Sequence, residues 1–373
     1  MHIAIHEIEP WLIRYQSARY NLAQSGVANV SVKELLQVTG GDLGELTGLS
    51  FEDIDTRGSW ELRQAVAALY PGCSPESVLI THGTSEALLL YFMIRHTRGA
   101  NVIIPVPAFQ SLSELPRYVG YEVRPLPLRR ERGFRMDLDA LAEMADHNTR
   151  VIILNTPHNP TGMVPTAGEI AEVQRIARRV GAEVLADEHY RFMPYRGEEM
   201  LASLYSGQEG VAAVGSMGKC LGCVGLRVGW LLGPQELIDA CRDLKDYTTH
   251  TMCSINDRLA LLVLQRWREL AGRYRQWIAS NVRELASFLQ RHEEAMGWIP
   301  PEAGIVSFPF LRGRSASTLH YAKRLAEERD VFVLPGDAFG SPGHLRVGFG
   351  LPPARFAEAL ERWSGFVNEG RWS

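Results

Sequence analysis

Short apolar segments alternate with segments of helical periodicity between residues 77 and 232, and this alternation most constrains the fold. Helical patterns such as Ser85–His96 and Thr166–Val180 separate several of the apolar segments. The apolar segments, rich in β-branched residues, are Ser77–Thr81, Asn101–Pro105, Tyr121–Leu126, Val151–Asn155, Glu183–Asp187, Gly210–Ser216 and Val228–Leu232. Such alternation is typical of a parallel sheet with helices on both faces. We therefore predict an α/β fold with a doubly wound, mostly parallel sheet.

The remainder of the chain predicts a second, smaller α+β domain. From about Ile255 to Glu294 the pattern is helical with apolar residues on one face, so we expect one long helix between two domains. Strand patterns follow at Ile305–Pro309, Val331–Pro335 and Leu345–Phe349. We predict an N-terminal arm with part of the small domain at 1–45, a large domain at 46–255, an interdomain helix at 256–294 and a small domain at 295–373.

Composition excludes several classes of function. The net charge is −4, so there is no electrostatic case for binding nucleic acid or an anionic membrane. No apolar run reaches membrane-spanning length, and the first residues lack the charged and apolar regions of a signal peptide. The five cysteines are an odd number, which fits a reducing compartment. We expect a cytoplasmic protein.

Two of the cysteines, Cys220 and Cys223, form a C-x-x-C pair. A structural zinc site would need a second pair of ligands, and none is apparent in the sequence. A redox pair would need thioredoxin-like surroundings. We interpret both as small packing residues and predict no metal site.

Lys219 lies among small residues in the segment Ser216-Met-Gly-Lys219-Cys-Leu-Gly-Cys-Val-Gly-Leu-Arg227. Its amine suits a Schiff base with an aldehyde cofactor, whose phosphate the Ser216 hydroxyl and the Arg227 guanidinium could bind. Alone the segment is weak evidence, because glycine-rich loops with a lysine are usually solvated turns. Four other segments each supply a part that pyridoxal 5'-phosphate (PLP) needs.

Three of these segments follow predicted strands, where ligands bind in open parallel sheets. Gly83, Thr84 and Ser85 begin a helix whose free N–H groups can hold a phosphate, although a plain helix cap is an alternative. Phe109 could stack on a pyridine ring or belong to the core. Asn159, in a loop stiffened by prolines, could point its amide at a ring oxygen.

The fourth segment is Asp187-Glu-His-Tyr190, at the end of an apolar strand. A buried, unpaired aspartate is costly, whereas one that faces a protonated pyridine nitrogen is stabilised. Asp187 would keep the ring cationic, which makes PLP an electron sink. Tyr190 could reach the phenolic oxygen of the cofactor, or it could be a packed aromatic residue.

In this order the motifs resemble those of fold-type I PLP enzymes of the aminotransferase class I/II family, which carry an arginine corresponding to Arg346 of His-Leu-Arg346-Val-Gly-Phe. The resemblance implies a homodimer in which Lys219 is the Schiff-base lysine and Asp187 pairs with the pyridine nitrogen. Asn159 and Tyr190 would hold the ring oxygen, and Arg346 the α-carboxylate of an amino-acid substrate. The implied phosphate-binding residues are Thr84, Ser85, Ser216 and Arg227.

The chain departs from this family at two positions. Many relatives carry a tyrosine before Gly58 that reaches the phosphate of the partner subunit, whereas this chain reads Phe51-Glu-Asp53-Ile-Asp55. That role is therefore vacant or altered. Gly218 also stands where a second serine is frequent. The acidic run could face a neighbouring active site and suit a cationic substrate, or it could be a solvated loop.

The N-terminal sequence resembles a narrower group, the capreomycidine synthase family, and especially its enduracididine-forming enzymes from guanitoxin biosynthesis. The resemblance lies in Ile8–Tyr15 and Ala18–Val27, with the segments around Thr84 and Phe109. Such enzymes cyclise hydroxylated arginines by eliminating water and adding a guanidine nitrogen, and their N-terminal segment covers the substrate. The resemblance makes Glu9, Ser25 and Gly26 candidates for substrate contacts. Glu9 could otherwise be an exposed helix-start acid, and Ser25 a turn residue.

We therefore predict a PLP-dependent cyclodehydratase of a hydroxy-L-arginine. A γ-hydroxyl would give the five-membered ring of enduracididine, which we favour, and a β-hydroxyl the six-membered ring of capreomycidine. The main alternative is an aminotransferase acting on arginine or an aromatic amino acid, which needs the same core residues. A PLP-binding regulator is disfavoured, because Lys219 is present and no helix-turn-helix pattern flanks the chain.

Overall fold

The computed structural model describes residues 3–197, 199–313 and 317–370. The strands are β1 (Tyr20–Asn21), β2 (Val78–Thr81), β3 (Asn101–Val106), β4 (Glu122–Pro127), β5 (Thr149–Asn155), β6 (Glu183–Asp187), β7 (Val211–Ser216), β8 (Gly229–Leu232), β9 (Met296–Gly297), β10 (Val306–Ser307), β11 (Phe310–Leu311), β12 (Val331–Phe332), β13 (Leu334–Pro335) and β14 (Leu345–Gly348). The helices are α1 (Glu9–Arg14), α2 (Val32–Thr39), α3 (Leu43–Thr47), α4 (Trp60–Ala67), α5 (Thr84–Arg95), α6 (Ser111–Val119), α7 (Leu138–Met144), α8 (Ala167–Val180), α9 (Gly218–Leu221), α10 (Gln235–Lys245), α11 (Ser254–Gln265), α12 (Trp267–Arg291), α13 (Leu319–Arg329) and α14 (Pro353–Asn368).

A seven-stranded sheet with the order β2-β8-β7-β6-β5-β3-β4 forms the centre of the described part of the chain. Strand β8 runs antiparallel to both of its neighbours, and the other neighbouring pairs are parallel. The residues of β2, β7 and β8 are all buried, as expected for strands covered on both faces. The predicted doubly wound, mostly parallel sheet is confirmed, and each of its strands begins and ends within two residues of the prediction.

The parallel register brings the polar ends of the strands together. Asn155, at the end of β5, is paired with Asp187, at the end of β6. The Asn155 amide donates to the Asp187 carbonyl over 3.1 Å, and its oxygen accepts from the Asn159 N–H at 2.7 Å. One edge of the sheet therefore carries the predicted asparagine and aspartate motifs side by side.

Helix α8 illustrates how local sequence sets the bounds of a helix that covers the sheet. Its N-terminus has a capping box, in which the Thr166 hydroxyl accepts from the Glu169 N–H and the Glu169 carboxylate from the Thr166 N–H. Its C-terminus ends at Gly181, whose φ of +73° lies in the left-handed region. Its buried side packs on β5 and β6 through Val173, Ile176 and Ala177.

The C-terminal elements form smaller sheets and pack with the N-terminal segment. Strands β10, β14 and β13 form one antiparallel sheet, and β1 pairs in parallel with β12. The predicted strand at 331–335 is two short strands, because the chain changes partner at Val333 from β1 to β14.

Among the described residues, no helix has both the length and the apolar character needed to cross a membrane.

The expectation of one continuous helix between about 255 and 294 is wrong. The segment forms α11 and α12, which are separated at Arg266, where the backbone leaves the helical conformation with φ −123° and ψ 25°. The two helices pack on different neighbours, since α11 contacts α2 and α4 whereas α12 contacts α9 and α14. The change of packing partner explains a break that the continuous apolar pattern did not indicate.

Candidate active site

Lys219 lies at the start of the short helix α9, just beyond the carboxyl end of β7. Its Nζ atom is 5.1 Å from the ring centroid of Phe109 and 5.6 Å from that of Tyr190. The side chain points into a cavity of about 530 Å³. Nine of the predicted site residues line this cavity: Glu9, Ser25, Gly26, Thr84, Ser85, Phe109, Lys219, Arg227 and Arg346.

The N-terminus of α5 forms one end of the cavity. Gly83 precedes the helix with a φ of +79°, and a Cβ atom there would lie 2.6 Å from Nη2 of Arg227. A glycine is therefore required for Arg227 to lie against the start of the helix. The free N–H groups of this helical turn, the hydroxyls of Thr84 and Ser85 and the guanidinium suit a phosphate. Ser216, buried at the end of β7, is three residues before Lys219.

Asp187 is buried and lies next to a histidine that the sequence analysis did not select. Its Oδ1 is 2.5 Å from Nδ1 of His189, and Nε2 of His189 is 2.8 Å from Oγ1 of Thr84. Burial alone would raise the pKa of Asp187, but the nearby His189 and Lys219 hold that pKa below its ordinary value. The carboxylate is therefore ionised at neutral pH and suits a cationic partner such as a protonated pyridine.

Arg346 is buried with a relative exposure of 1%. Its Nη1 donates to Oδ1 of Asn159 at 3.2 Å, and its Nη2 donates to the Ala23 carbonyl at 2.7 Å. Burial lowers the pKa of Arg346 to about 10, while Tyr190 and Glu9 oppose this shift. The guanidinium is thus cationic at neutral pH but has no carboxylate hydrogen-bonded to it within the described residues, so an anionic ligand would complete its environment.

Two buried polar atoms test whether these residues fit PLP. The Tyr190 hydroxyl and Nε of Arg346 have no hydrogen-bond partner among the described residues, although both are buried. Buried polar groups in native proteins are nearly always paired, so a missing partner indicates a ligand. The phenolic oxygen of PLP suits the Tyr190 hydroxyl, and the α-carboxylate of an amino acid suits Arg346. The residues present therefore fit the cofactor and an amino acid together.

The N-terminal segment passes directly over the lysine. The Val27 N–H donates to the Lys219 carbonyl at 2.9 Å, and a Cβ on Gly26 would lie 3.4 Å from Cα of Lys219. A Cβ on Gly350 would lie 2.0 Å from the Gly26 carbonyl, so the segment is enclosed on both sides. Ser25 and Gly26 therefore lie at the cavity wall because the backbone there is packed on the lysine segment.

Gln110, which no sequence pattern indicated, holds the arm that carries Glu9 through two hydrogen bonds. Its Nε2 donates to the Ile5 carbonyl at 2.8 Å, and its Oε1 accepts from the Glu7 N–H at 2.7 Å. The His6 ring packs on Phe109, with 5.7 Å between the ring centroids. Glu9 begins α1 and lines the cavity, with its side chain exposed in the single chain.

The acidic run before Gly58 is partly engaged within its own chain. Asp55 accepts a hydrogen bond from the Arg57 N–H at 2.8 Å and lies 3.3 Å from Nη2 of Arg63. Glu52 and Asp53 are exposed. Asp55 is paired within its own chain, so Glu52 and Asp53 are the carboxylates of this run that could contact a cationic substrate in a neighbouring active site.

The C-x-x-C pair is buried next to Lys219. Burial raises the pKa of the Cys223 thiol to about 12 and also raises that of Cys220, so both stay protonated at neutral pH. The Cys220 thiol donates to the His189 carbonyl at 3.2 Å. Across residues 3–197, 199–313 and 317–370, no group of three histidine, cysteine or acidic side chains could hold a metal ion.

Comparison with known proteins gives the family. The model of the family "Aminotransferase class I and II" matches residues 45–362, which is most of the chain. The chain belongs to the aminotransferase class I and II family. It is therefore a PLP-dependent enzyme, and the predicted cofactor is confirmed.

Three relatives refine the assignment. Capreomycidine synthase of Streptomyces vinaceus is 32% identical over 356 residues, covering 95% of this chain and 91% of that protein. The crystal structure of the PLP-dependent cyclase OrfR superposes with a TM-score of 0.92 at 29% identity, covering 99% of this chain and 98% of the other. A PLP-dependent aminotransferase from Streptococcus suis 89-1591 gives the same TM-score at 28% identity, covering 99% of both chains. The fold-type I architecture is confirmed.

The N-terminal segment belongs to this similarity. The family model does not cover residues 1–44, whereas a match over 95% of the chain must include part of them. The cavity-lining Glu9, Ser25 and Gly26 lie in that segment. The similarity to capreomycidine synthase therefore extends beyond the region that defines the whole family.

Proposed function

We propose that this family member is a cyclodehydratase that converts a hydroxy-L-arginine into a cyclic guanidine amino acid. One observation carries the proposal: a single cavity is lined by Arg346, Lys219 and Glu9. A cation for the α-carboxylate, an amine for proton transfer and an anion for a guanidinium therefore face the same space. Its volume of about 530 Å³ is in the range of small-molecule sites.

The charges of the cavity complement the two ends of an arginine. Arg346 is buried and cationic, which suits the α-carboxylate. The Glu9 carboxylate is close enough to raise the pKa of Arg346 against the effect of burial. In the described residues, Glu9 is the one carboxylate that lines the cavity. The guanidinium of a bound substrate would pair with Glu9, while the α-carboxylate of the same substrate would pair with Arg346.

The proposed reaction needs one proton carrier near Cα and Cβ. Bound PLP withdraws electrons from the substrate and so acidifies the Cα–H and then the Cβ–H bond. Lys219 would take both protons and give one of them to the hydroxyl, which leaves Cγ as water, so that a Cβ=Cγ double bond forms. A guanidine nitrogen would add to Cγ and lose its proton, while Lys219 returns protons to Cβ and Cα. The net change is the loss of one water and a new C–N bond, without oxidation.

The position of the hydroxyl separates two candidate substrates. The N-terminal sequence resembles enduracididine-forming enzymes, which favours γ-hydroxyarginine and ring closure at Cγ. The 32% identity with capreomycidine synthase favours β-hydroxyarginine and ring closure at Cβ. The α-carboxylate and guanidinium contacts are the same in both cases. We propose the γ-isomer as the substrate.

Incubation of the enzyme with each isomer tests this proposal. We expect γ-hydroxyarginine to give a product that has lost one water, with a five-membered ring identified by NMR. β-Hydroxyarginine is expected to react at least about tenfold more slowly, since a change in transition-state fit of 1.36 kcal/mol has that effect. Faster conversion of the β-isomer to a six-membered ring would replace the γ-proposal with the β-proposal. A keto acid that retains the hydroxyl, formed together with conversion of the cofactor to pyridoxamine phosphate, would identify an aminotransferase.

The proposed enzyme acts as a homodimer, as is typical of this fold. Phe51 and Tyr247 are 84% and 89% exposed, which is unusual for large apolar side chains. Their loops are joined, because the Ile54 N–H donates to Thr251 at 3.1 Å and the Lys245 amine donates to the Thr56 carbonyl at 3.0 Å. Burial of this surface by a second subunit would account for the exposure, which supports the proposal of a dimer.

A further inference from the structure

His189 connects two parts of the cofactor site that lie on different elements. It follows β6, and its side chain is 12% exposed. One ring nitrogen, Nδ1, lies 2.5 Å from Asp187, and the other, Nε2, lies 2.8 Å from Thr84 at the start of α5. The His189 carbonyl accepts a hydrogen bond from Cys220, the residue after Lys219. His189 thus contacts the segments of the ring-nitrogen carboxylate, the phosphate-binding helix and the lysine.

The chemistry of the contact with Asp187 fixes the proton on Nδ1. An ionised carboxylate only accepts hydrogen bonds, so Nδ1 must be the donor whether the imidazole is neutral or cationic. The hydroxyl of Thr84 can accept from Nε2 or donate to it, so this contact is also satisfied in both states. The imidazole therefore has one orientation, and its hydrogen bond to Oδ1 restrains the Asp187 carboxylate.

The other histidine near Asp187, His158, makes its hydrogen bond to a different residue. Its Nδ1 lies 2.8 Å from the Thr161 hydroxyl, and its Nε2 has no partner among the described residues. In the described part of the chain, His189 is the imidazole hydrogen-bonded to the Asp187 carboxylate.

We infer that His189 is a positioning residue that fixes Asp187 against the cofactor's ring nitrogen and links it to Thr84 at the phosphate-binding turn. A cofactor held at both ends by linked groups has less freedom to tilt, and a preorganised carboxylate stabilises the protonated ring. This inference concerns the cofactor site and goes beyond the proposed function, because it holds for a cyclase and for an aminotransferase.

Two variants separate positioning from packing. His189→Phe keeps a ring of similar size and removes both hydrogen bonds, whereas His189→Asn retains a donor that can reach Asp187 in place of Nδ1. The holoenzyme would be reconstituted with PLP labelled with ¹⁵N in the ring. The chemical shift of that nitrogen reports its protonation, and a spectroscopic titration gives the Kd of PLP.

We expect His189→Phe to shift the ring ¹⁵N signal towards the unprotonated form and to raise the Kd of PLP about tenfold, the usual effect of losing a hydrogen bond to a charged group. His189→Asn should keep the signal close to that of the wild type. A His189→Phe protein with an unchanged ¹⁵N shift and a Kd within about twofold of wild type would overturn the inference, since the inference predicts a loss of about tenfold.

Wild-type protein gives a second test, for which a variant serves only to assign the signal. Protein labelled with ¹⁵N-histidine should show a strongly downfield Nδ1–H proton, as expected for a short hydrogen bond to a carboxylate. His189→Asn should lack that resonance and thereby assign it. An Nδ1 of His189 that carries no proton in the wild-type holoenzyme would refute the inference.

Discussion

Lys219→Ala is expected to lose the visible absorbance of covalently bound cofactor and to lower turnover about a hundredfold to ten-thousandfold, the range for loss of a general acid–base group. Lys219 is the lysine that lines the cavity among the described residues, and its amine lies 5.1 Å and 5.6 Å from the centroids of the Phe109 and Tyr190 rings. The measurement is the visible spectrum, with borohydride reduction and peptide mapping of the modified lysine.

Lys33→Ala is the matched control, because Lys33 is exposed on α2 and lies outside the cavity. It should keep the spectrum and the activity of the wild type. The same mapping would contradict the assignment if borohydride still attached the cofactor to the Lys219→Ala protein at another lysine. Lys245 is the alternative to watch, since it is fully buried and its amine donates to the Thr56 carbonyl.

Glu9→Gln is expected to reduce kcat/KM for hydroxyarginine about tenfold to a hundredfold, because a charge-assisted hydrogen bond to the guanidinium becomes a neutral one. Glutamine has nearly the shape of glutamate, so the arm should stay in place. The visible spectrum of the cofactor should not change, since Glu9 belongs to the arm and not to the cofactor-binding segments. Steady-state kinetics with the hydroxyarginine substrate give the result.

Two controls test whether the loss of activity in Glu9→Gln comes from its contact with the substrate guanidinium. Glu7→Gln changes an exposed acid of the same arm that does not line the cavity, and it should leave kcat/KM unchanged. Norleucine has an α-carboxylate but no guanidinium, so its binding to Glu9→Gln, read from the cofactor spectrum, should be no weaker than its binding to the wild type. If hydroxyarginine is cyclised with unchanged efficiency by Glu9→Gln, then Glu9 is only a surface acid.

The central sheet could be predicted from sequence because parallel strands covered on both faces are continuous apolar runs. Segments such as Thr149–Asn155 and Glu183–Asp187 have few alternatives, since the helical pattern of α8 separates them. A polar residue at the end of such a strand, as at Asp187, is costly without a partner. For this reason Asp187 could be predicted as a site residue from the sequence alone.

The limits of prediction lay where one segment meets two different neighbours. The apolar pattern runs through Arg266 without a glycine or proline, yet the helix ends there because α11 and α12 pack on different elements. The strand pattern at 331–335 is likewise continuous, but β12 pairs with β1 and β13 with β14. Local periodicity does not record such changes of partner.

His189 and Gln110 escaped prediction for a related reason. Gln110 binds the backbone of residues 5 and 7, so its role depends on an arm distant in sequence. His189 had a local signal, because it lies two residues after Asp187, a spacing that places side chains on one side of an extended chain. Its second contact, to Thr84, depends on the neighbouring ends of two elements and could not be inferred from spacing.

Turnover without a keto-acid acceptor tests the proposed cyclase most directly. A cyclase regenerates PLP in each cycle, so purified enzyme given γ-hydroxyarginine alone should form many equivalents of the cyclic product per active site. The cofactor spectrum after the reaction should equal the one before it. An aminotransferase without acceptor would stop after a single equivalent of keto acid, with its cofactor left as pyridoxamine phosphate. That result would contradict the cyclodehydratase proposal.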